Sequence, residues 1–110
     1  MRANNYQDAA KRTVNFDLTN SQIRDHALHG MVSEIGELHS IYQKTYQGHD
    51  IDETHAKKEV GDLLWFIAEY LTAHNWSMEE IMQMNVDKLK ARYPDGFEVE
   101  RSKNRKEGDI

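Results

Sequence analysis

The feature that most constrains this fold is the scarcity of residues that break helices. The 110 residues contain one proline, Pro94, and no alternating run of β-branched residues that would favour strands. Three long stretches instead carry apolar residues every three or four positions, the spacing that keeps one face of a helix against a core. The sequence therefore predicts an all-α fold.

Capping residues place the first two predicted helices. A short helix over about 4–12 precedes an irregular bridge, and the second helix begins at Asn20 or Ser21 and ends near Gln47. Its apolar stripe has helical spacing and consists of Ile23, Ala27, Met31, Ile35, Leu38 and Tyr42. This stripe predicts one buried face along the whole helix.

Two more helices are predicted after the turn at Gly48. The third is capped by Asp52 or Thr54 and fades at positions 74–75. Ser77 begins the fourth, because Glu80 three residues later completes a capping box. The expected apolar stripes are Ala56, Val60, Leu63, Ile67 and Leu71 on the third helix, and Ile81, Met82, Val86 and Leu89 on the fourth.

Length and composition indicate one domain over 1–110, with a core of about 21–97. The expected architecture is a four-helix bundle-like domain around a central antiparallel hairpin. The charged tail 98–110 is predicted to be loop or partly disordered. Apolar residues make up 38% of the chain, and the six glycines still leave it slightly below the usual range. We therefore expect oligomerisation to complete the fold.

The charge and cysteine content bound the partners and the compartment. A net charge of −5 argues against nucleic acid as a partner, and an anionic substrate would need a cation. No cysteine is present, which excludes disulfides and thiolate zinc sites and fits a reducing compartment. No apolar run approaches the length of a membrane span, and the first residues are polar. We expect a cytoplasmic protein with no membrane partner.

Two acidic pairs stand out on the second and third helices. Glu34 and Glu37 are three residues apart, as are Glu59 and Asp62, so each pair shares one helix face beside the apolar stripe. A hairpin folded symmetrically about Gly48 sets Glu37 opposite Glu59 and Glu34 opposite Asp62. The pattern therefore predicts that the four carboxylates converge.

Converging carboxylates beside an apolar interface need a bound cation or a proton. Oxygen ligands favour Mg²⁺, with Mn²⁺ as a possible substitute, and such a site suits phosphate chemistry. Two alternatives remain open. The acids could form the solvated ridge of a non-catalytic helical interaction module. They could also belong to a carboxylate-bridged redox metal protein, although such sites usually place His three residues after Glu, whereas positions 37 and 62 are Glu and Asp.

A basic stripe on the fourth helix is the candidate substrate-binding surface. Asn85, Lys88 and Arg92 fall on one narrow face beside the apolar stripe. Lys and Arg can bind phosphate oxygens, and Asn can bond to a sugar hydroxyl or a base edge. Basic residues in a last turn also complement the helix dipole, which is the simpler explanation of these charges.

The chain resembles the MazG-like family of all-α nucleoside triphosphate pyrophosphohydrolases. The resemblance covers roughly 23–96 and rests on two acidic motifs and a later Asn-x-x-Lys-Leu-x-x-Arg-Tyr-Pro motif, which begin at Glu34, Glu59 and Asn85. Ser33 stands where the family motif often carries a further acid. The resemblance implies Mg²⁺-dependent cleavage of an NTP or dNTP between the α and β phosphates, giving a monophosphate and pyrophosphate.

Roles follow for the candidate residues. Mg²⁺ would bind the four acids, Glu34, Glu37, Glu59 and Asp62. One of Glu34 or Glu37 is the candidate general base that orients the attacking water. Lys88 and Arg92 would hold the outer phosphates, and Asn85 would contact the sugar or base.

Histidines and one tryptophan complete the expectations. The six histidines are expected to have surface or capping roles, since none has the spacing of a zinc-protease helix. Trp65 lies on the third helix away from its apolar stripe and suggests a subunit interface, although the first helix could cover it instead. The resemblance also implies a homodimer or homotetramer that completes the nucleotide pocket.

Overall fold

The computed structural model covers residues 1–110 and contains helices but no strands, which confirms the all-α prediction. A 3₁₀ turn over Lys44–Gln47 follows the second helix. The five α-helices are α1 Ala3–Lys11, α2 Asn20–Gln43, α3 Glu53–Ala73, α4 Met78–Arg92 and α5 Val99–Lys103. None of them combines the length and apolar character that a membrane crossing would require.

Side-chain caps fix where the long helices begin. Thr19 caps α2 through a reciprocal pair, in which Gln22 N donates to Thr19 Oγ1 at 3.2 Å and Thr19 N donates to Gln22 Oε1 at 2.9 Å. The predicted cap at Asn20 or Ser21 is wrong by one or two residues, because only Thr19 has a glutamine at the third helical position. Asp52 caps α3 and Ser77 caps α4, both as expected, although the Glu80 side chain does not return the bond to Ser77 N that completes a capping box.

Helices α2 and α3 form the central antiparallel hairpin. Gly48 ends the 3₁₀ turn with a positive φ of 89°, a conformation that glycine adopts without strain. The facing pairs His26–Glu69 and Gly30–Phe66 are centred on position 48 or within half a residue of it. The hairpin therefore has the register that symmetric folding about Gly48 predicts.

The two hairpin helices approach most closely at Gly30. This glycine is buried, and a Cβ built on it would overlap the ring of Phe66. Because protein interiors are close-packed, the absence of a side chain at position 30 is what lets the ring lie against the α2 backbone. Gly30 thus sets the spacing of the hairpin about one turn from the level of Glu34 and Asp62.

Helix α1 packs against α3 and holds the start of α4. Ala10 joins Ala68, Leu71 and Met78 in the main buried cluster. Asn4 Oδ1 accepts hydrogen bonds from Ser77 Oγ and Glu79 N, both at 3.0 Å. The side chain of α1 residue Asn4 therefore anchors the first turn of α4.

Trp65 is covered from within the chain rather than left as an open subunit surface. Its Nε1 donates to Thr13 Oγ1 at 2.8 Å, and its ring packs against the main buried cluster. The structure agrees with the alternative expectation that the first helix covers Trp65, because the end of α1 and the residues after it lie over this face of α3.

Helix α4 leaves the hairpin and rests mainly on α1. The predicted buried stripe of α4 is therefore wrong for a single chain: the exposed fraction is 53% for Met82, 43% for Val86 and 42% for Leu89. Only ten of the 110 residues are buried. The apolar side of α4 thus has no partner within its own chain.

The tail is more ordered than expected. Residues Val99–Lys103 form the short helix α5, and the chain then returns to α4, where Asp109 pairs with Arg92. The prediction of loop or partial disorder over 98–110 is wrong at these positions, because a charged segment can be held by ion pairs that a hydropathy pattern does not reveal.

Candidate functional site

The candidate metal site lies between the two helices of the hairpin. Glu34 and Glu37 project from the second half of α2, and Glu59 and Asp62 from the first half of α3. Residues three apart on a helix lie on the same face, so each helix presents one acidic pair to the other. The register about position 48 brings the two pairs to the same level.

Three of the four predicted acids come together. One carboxylate oxygen from each of Glu34, Glu59 and Asp62 lies within 4.8 Å of the other two. Glu34 and Glu59 are partly buried, whereas Asp62 is exposed on the open side of the cluster. Ligands at this separation can surround one divalent ion.

Glu37 lies at the edge of this cluster. Its side chain is exposed and its oxygens are outside the close group, yet its negative charge contributes to the raised pKa of Glu34. Glu37 can therefore act on a ligand or water beside the cluster rather than at its centre.

The close carboxylates raise the pKa of Glu34 to about 7. The largest cause is a hydrogen bond with Glu59, which Glu34 can donate only when it is protonated. Burial adds to this effect, followed by the negative charges of Glu59, Asp62 and Glu37. Burial and mutual repulsion thus destabilise the fully ionised cluster, and a bound proton or cation would relieve this.

A buried oxygen of Glu34 has no hydrogen-bond partner. Oε2 of Glu34 is inaccessible to solvent and bonds to no donor in the chain. Buried polar atoms are normally paired, so this oxygen needs a proton shared with a neighbouring carboxylate, a water or a cation. The donor set offers only carboxylate oxygens, which suit Mg²⁺ or Mn²⁺.

Two residues that the sequence reading did not assign to the site lie beside it. His55 Nε2 is 3.1 Å from Glu59 Oε1, and the i,i+4 spacing of this pair was a signal for the contact. Tyr6 of α1 lies near the other α3 acid: burial raises the pKa of the phenol, and the charge of Asp62 raises it further. No local pattern predicts Tyr6, because it reaches the site through the packing of α1 on α3.

The predicted substrate-binding residues lie on α4, apart from the carboxylates. Asn85 and Lys88 are exposed. Arg92 is only 9% exposed and forms two hydrogen bonds with Asp109, at 2.8 and 2.6 Å. Because α4 makes little contact with α2 or α3, the structure does not bring the basic stripe to the acidic cluster of the same chain.

A second buried acid lies further along the hairpin. Glu69 is 2% exposed, and both of its carboxylate oxygens contact His26 Nδ1, at 2.8 and 2.9 Å. The expected surface role of His26 is therefore incomplete, since this imidazole also satisfies a buried carboxylate. A lone acid within the apolar run of α3 was the signal for such a partner.

The comparisons with known proteins agree with the acidic motifs. Residues 22–97, most of the chain, match the family model of the MazG nucleotide pyrophosphohydrolase domain. No curated protein and no solved structure gives a significant match. The matched segment contains both acidic pairs and all three basic-stripe residues of α4. The chain belongs to the MazG nucleotide pyrophosphohydrolase domain family.

Proposed function

We propose that this protein is a Mg²⁺-dependent hydrolase that cleaves an NTP or dNTP between the α and β phosphates, releasing NMP or dNMP and pyrophosphate. The observation that carries the proposal is the cluster of Glu34, Glu59 and Asp62, whose oxygens lie within 4.8 Å of one another, in a chain of this family. An enzyme with an acidic surface needs a cation to bind a triphosphate. The cluster supplies the place for one.

The residues fit a hard divalent ion. The three close carboxylates would bind it, with Glu37 as a fourth acid at the edge. The unpaired Oε2 of Glu34 supports this assignment, because a cation would satisfy an atom that the chain leaves without a donor. Mn²⁺ would substitute for Mg²⁺ in such an oxygen-only site.

The reaction needs an activated water and a stabilised leaving group. When bound, the divalent ion would neutralise charge on the phosphate oxygens and lower the pKa of the attacking water. Glu34 or Glu37 would accept the proton of that water. The water oxygen forms a new bond to the α-phosphorus. The bond between this phosphorus and the α–β bridging oxygen breaks, and pyrophosphate leaves with that oxygen and the electron pair.

The two candidate bases, Glu34 and Glu37, differ in their positions. Glu34 has a pKa of about 7, near the pH at which the enzyme would work, but its oxygens also belong to the ligand cluster. Glu37 is exposed beside the cluster, where a water between it and the substrate has room. Both acids therefore remain candidate bases: Glu34 also serves as a metal ligand, whereas Glu37 is free to orient a water beside the cluster.

Substrate binding on α4 implies a second copy of the chain. Lys88 and Arg92 would hold phosphates and Asn85 the sugar or base, but α4 rests on α1 and not on the hairpin that carries the acids. The exposed apolar residues of α4 and of the hairpin, such as Val32 at 72% exposure, need a cover. A homodimer or homotetramer would bury them and bring α4 of one copy to the acids of another.

The compartment follows from the substrate. A nucleoside triphosphate substrate implies a cytoplasmic enzyme, and the absence of cysteine is compatible with a reducing environment. The net charge of −5 supports a small metal-bound nucleotide rather than a nucleic acid as the partner.

The test is product identification with a panel of NTPs and dNTPs, with Mg²⁺, with Mn²⁺ and with a chelator. We expect monophosphate and pyrophosphate in equal amounts, only when a divalent ion is present. Release of a diphosphate and orthophosphate would place the cleavage at the β–γ bond and contradict the proposal. Folded protein that is silent with every nucleotide and ion would leave only the helical scaffold.

A further inference from the structure

A positively charged cavity lies between α4 and the tail. Its volume is about 470 Å³, and five cationic side chains line it: Lys88, Arg92, Arg101, Arg105 and Lys106. The chain as a whole carries a net charge of −5, so this is a local reversal of sign. A concave surface lined by one sign of charge concentrates ions of the opposite sign.

The cavity already contains two acidic side chains of the protein itself, Glu107 and Asp109, and Asp109 is bound to a cation. Arg92 Nε donates to Asp109 Oδ2 at 2.8 Å, and Arg92 Nη2 donates to Asp109 Oδ1 at 2.6 Å. Both side chains are largely buried, at 9% and 19% exposure. The guanidinium thus offers its two-pronged face, which binds carboxylate and phosphate with the same geometry.

Asp109 satisfies only part of the charge around it. The hydrogen bonds from Arg92 are the main reason that the pKa of Asp109 is lowered, and the charges of Arg105 and Lys88 lower it further. One carboxylate with a single negative charge thus interacts with three cations. A di- or triphosphate group carries more charge and more oxygens, and it would engage more of these donors at once.

We propose that this cavity is a polyphosphate-binding pocket, and that Asp109 is an internal ligand which a phosphate group must displace from Arg92. The identification of the nucleotide's outer phosphates as one source of that group rests on the proposed function. Free pyrophosphate is the other source with the same chemistry. In this pocket Arg101, Arg105 and Lys106 also bind phosphate, although they lie beyond the family match over 22–97.

The first experiment measures binding without turnover. Inorganic tripolyphosphate is titrated calorimetrically into the wild type, Asp109→Asn and Glu107→Gln. Glu107→Gln is the matched control, because it removes the same charge from the same cavity but Glu107 makes no bond to Arg92. While Asp109 is bound to Arg92, the pocket cannot bind phosphate, so the apparent affinity is reduced by the fraction of molecules in which Arg92 is free. We therefore expect Asp109→Asn to bind tripolyphosphate roughly 10-fold more tightly than the wild type. Glu107→Gln should change affinity by less than about 3-fold, the effect of general charge alone.

The second experiment tests whether the gain passes through Arg92. In an Arg92→Gln background, Asp109→Asn should give no further tightening, since no guanidinium remains to be released. Equal gains in Asp109→Asn and Glu107→Gln, or a gain that survives Arg92→Gln, would overturn the proposal. Thermal melts of each variant verify that it is folded before its affinity is compared.

A third measurement separates the two sources of phosphate. If Asp109→Asn lowers KM for the nucleotide and leaves kcat unchanged, the pocket holds the substrate's outer phosphates. If KM is unchanged while inhibition by added pyrophosphate strengthens, the pocket holds the free anion. If the wild type cleaves no nucleotide, the proposed function fails, and the tripolyphosphate titration still decides whether the pocket exists.

Discussion

Glu34 and Glu59 face each other across the hairpin, close enough to share a hydrogen bond when one of them is protonated. Oε2 of Glu34 is buried and accepts no hydrogen bond from a donor in the chain. Two ionised carboxylates can neither form the hydrogen bond between Glu34 and Glu59 nor supply a donor for Glu34 Oε2. A shared proton or a bound cation would relieve both conditions. We therefore expect a proton and a divalent ion to compete for this site.

The raised pKa of Glu34 makes the metal-free protein less stable as pH rises. Its folded-state pKa of about 7 exceeds the ordinary value of 4.5, so the folded state binds more protons than the unfolded state between these limits. This contribution to stability is complete below about pH 4.5 and is lost as pH rises through about 7. Melting temperatures in a chelator, from pH 5 to 8.5, should fall more steeply for the wild type than for Glu34→Gln.

The control for this prediction is Glu53→Gln, which changes an exposed acid at the start of α3. It should follow the wild-type slope. Added Mg²⁺ should remove most of the wild-type decline, because a ligand that binds only the folded state stabilises it by about 2.7 kcal/mol at 100 times its Kd. Parallel slopes for the wild type and Glu34→Gln would contradict the assignment.

Gly30→Ala should destabilise the hairpin. The new Cβ would overlap the Phe66 ring, and overpacking of this kind costs about 1–3 kcal/mol. Gly36→Ala on the same helix is the matched control, because nothing lies within 4 Å of its Cβ position. Alanine there should be neutral or stabilising by up to about 1 kcal/mol, since it favours the helix over glycine. Urea unfolding of both variants checks this, and equal stabilities would show that Gly30 does not set the helix spacing.

His26→Ala should cost about 1–3 kcal/mol, because it leaves the buried Glu69 carboxylate without its hydrogen-bond partner. His29→Ala on the same helix removes an exposed imidazole with no partner in the structure and should cost less than about 0.5 kcal/mol. Denaturant unfolding at neutral pH compares the two. Similar losses would mean that the His26–Glu69 contact adds nothing to stability.

Met82→Glu should break the oligomer that we propose. Met82 lies on the exposed apolar face of α4, whereas Met84, two residues on, points about 200° away. Light scattering should give a dimer or tetramer for the wild type and Met84→Glu, and a monomer for Met82→Glu. A wild-type monomer, or two variants that behave alike, would contradict a subunit interface on this face.

The four longer helices and the central hairpin could be predicted from the sequence, because helix ends are marked by local interactions. Residues such as Ser77, Asp52 and Gly48 mark helix ends by interactions within a few positions, and the symmetric hairpin about Gly48 sets which acids can meet. The convergence of Glu34 and Asp62 followed from this register. Local signals therefore predicted both the helices and the level of the acidic pairs.

Long-range packing was beyond the sequence pattern. The direction of α4 depends on Asn4 capping its first turn, a contact across 73 residues of chain to Ser77, and no periodicity encodes it. The same holds for the pairing of Asp109 with Arg92, which turns an expected substrate residue into one already engaged by the tail. The pattern shows which side of a helix is apolar, but it does not show whether the cover comes from the same chain or from another.

The most direct test of the central claim compares the wild type, Glu59→Gln and Glu53→Gln for Mg²⁺-dependent pyrophosphate release and for the rise in melting temperature on adding Mg²⁺. Glu59→Gln removes one cluster carboxylate, whereas Glu53→Gln makes the same change on the same helix outside the cluster. We predict that Glu59→Gln loses both the thermal shift and at least about 100-fold in rate, while Glu53→Gln keeps both. Undiminished activity and an unchanged Mg²⁺ shift in Glu59→Gln would contradict a catalytic metal site between α2 and α3.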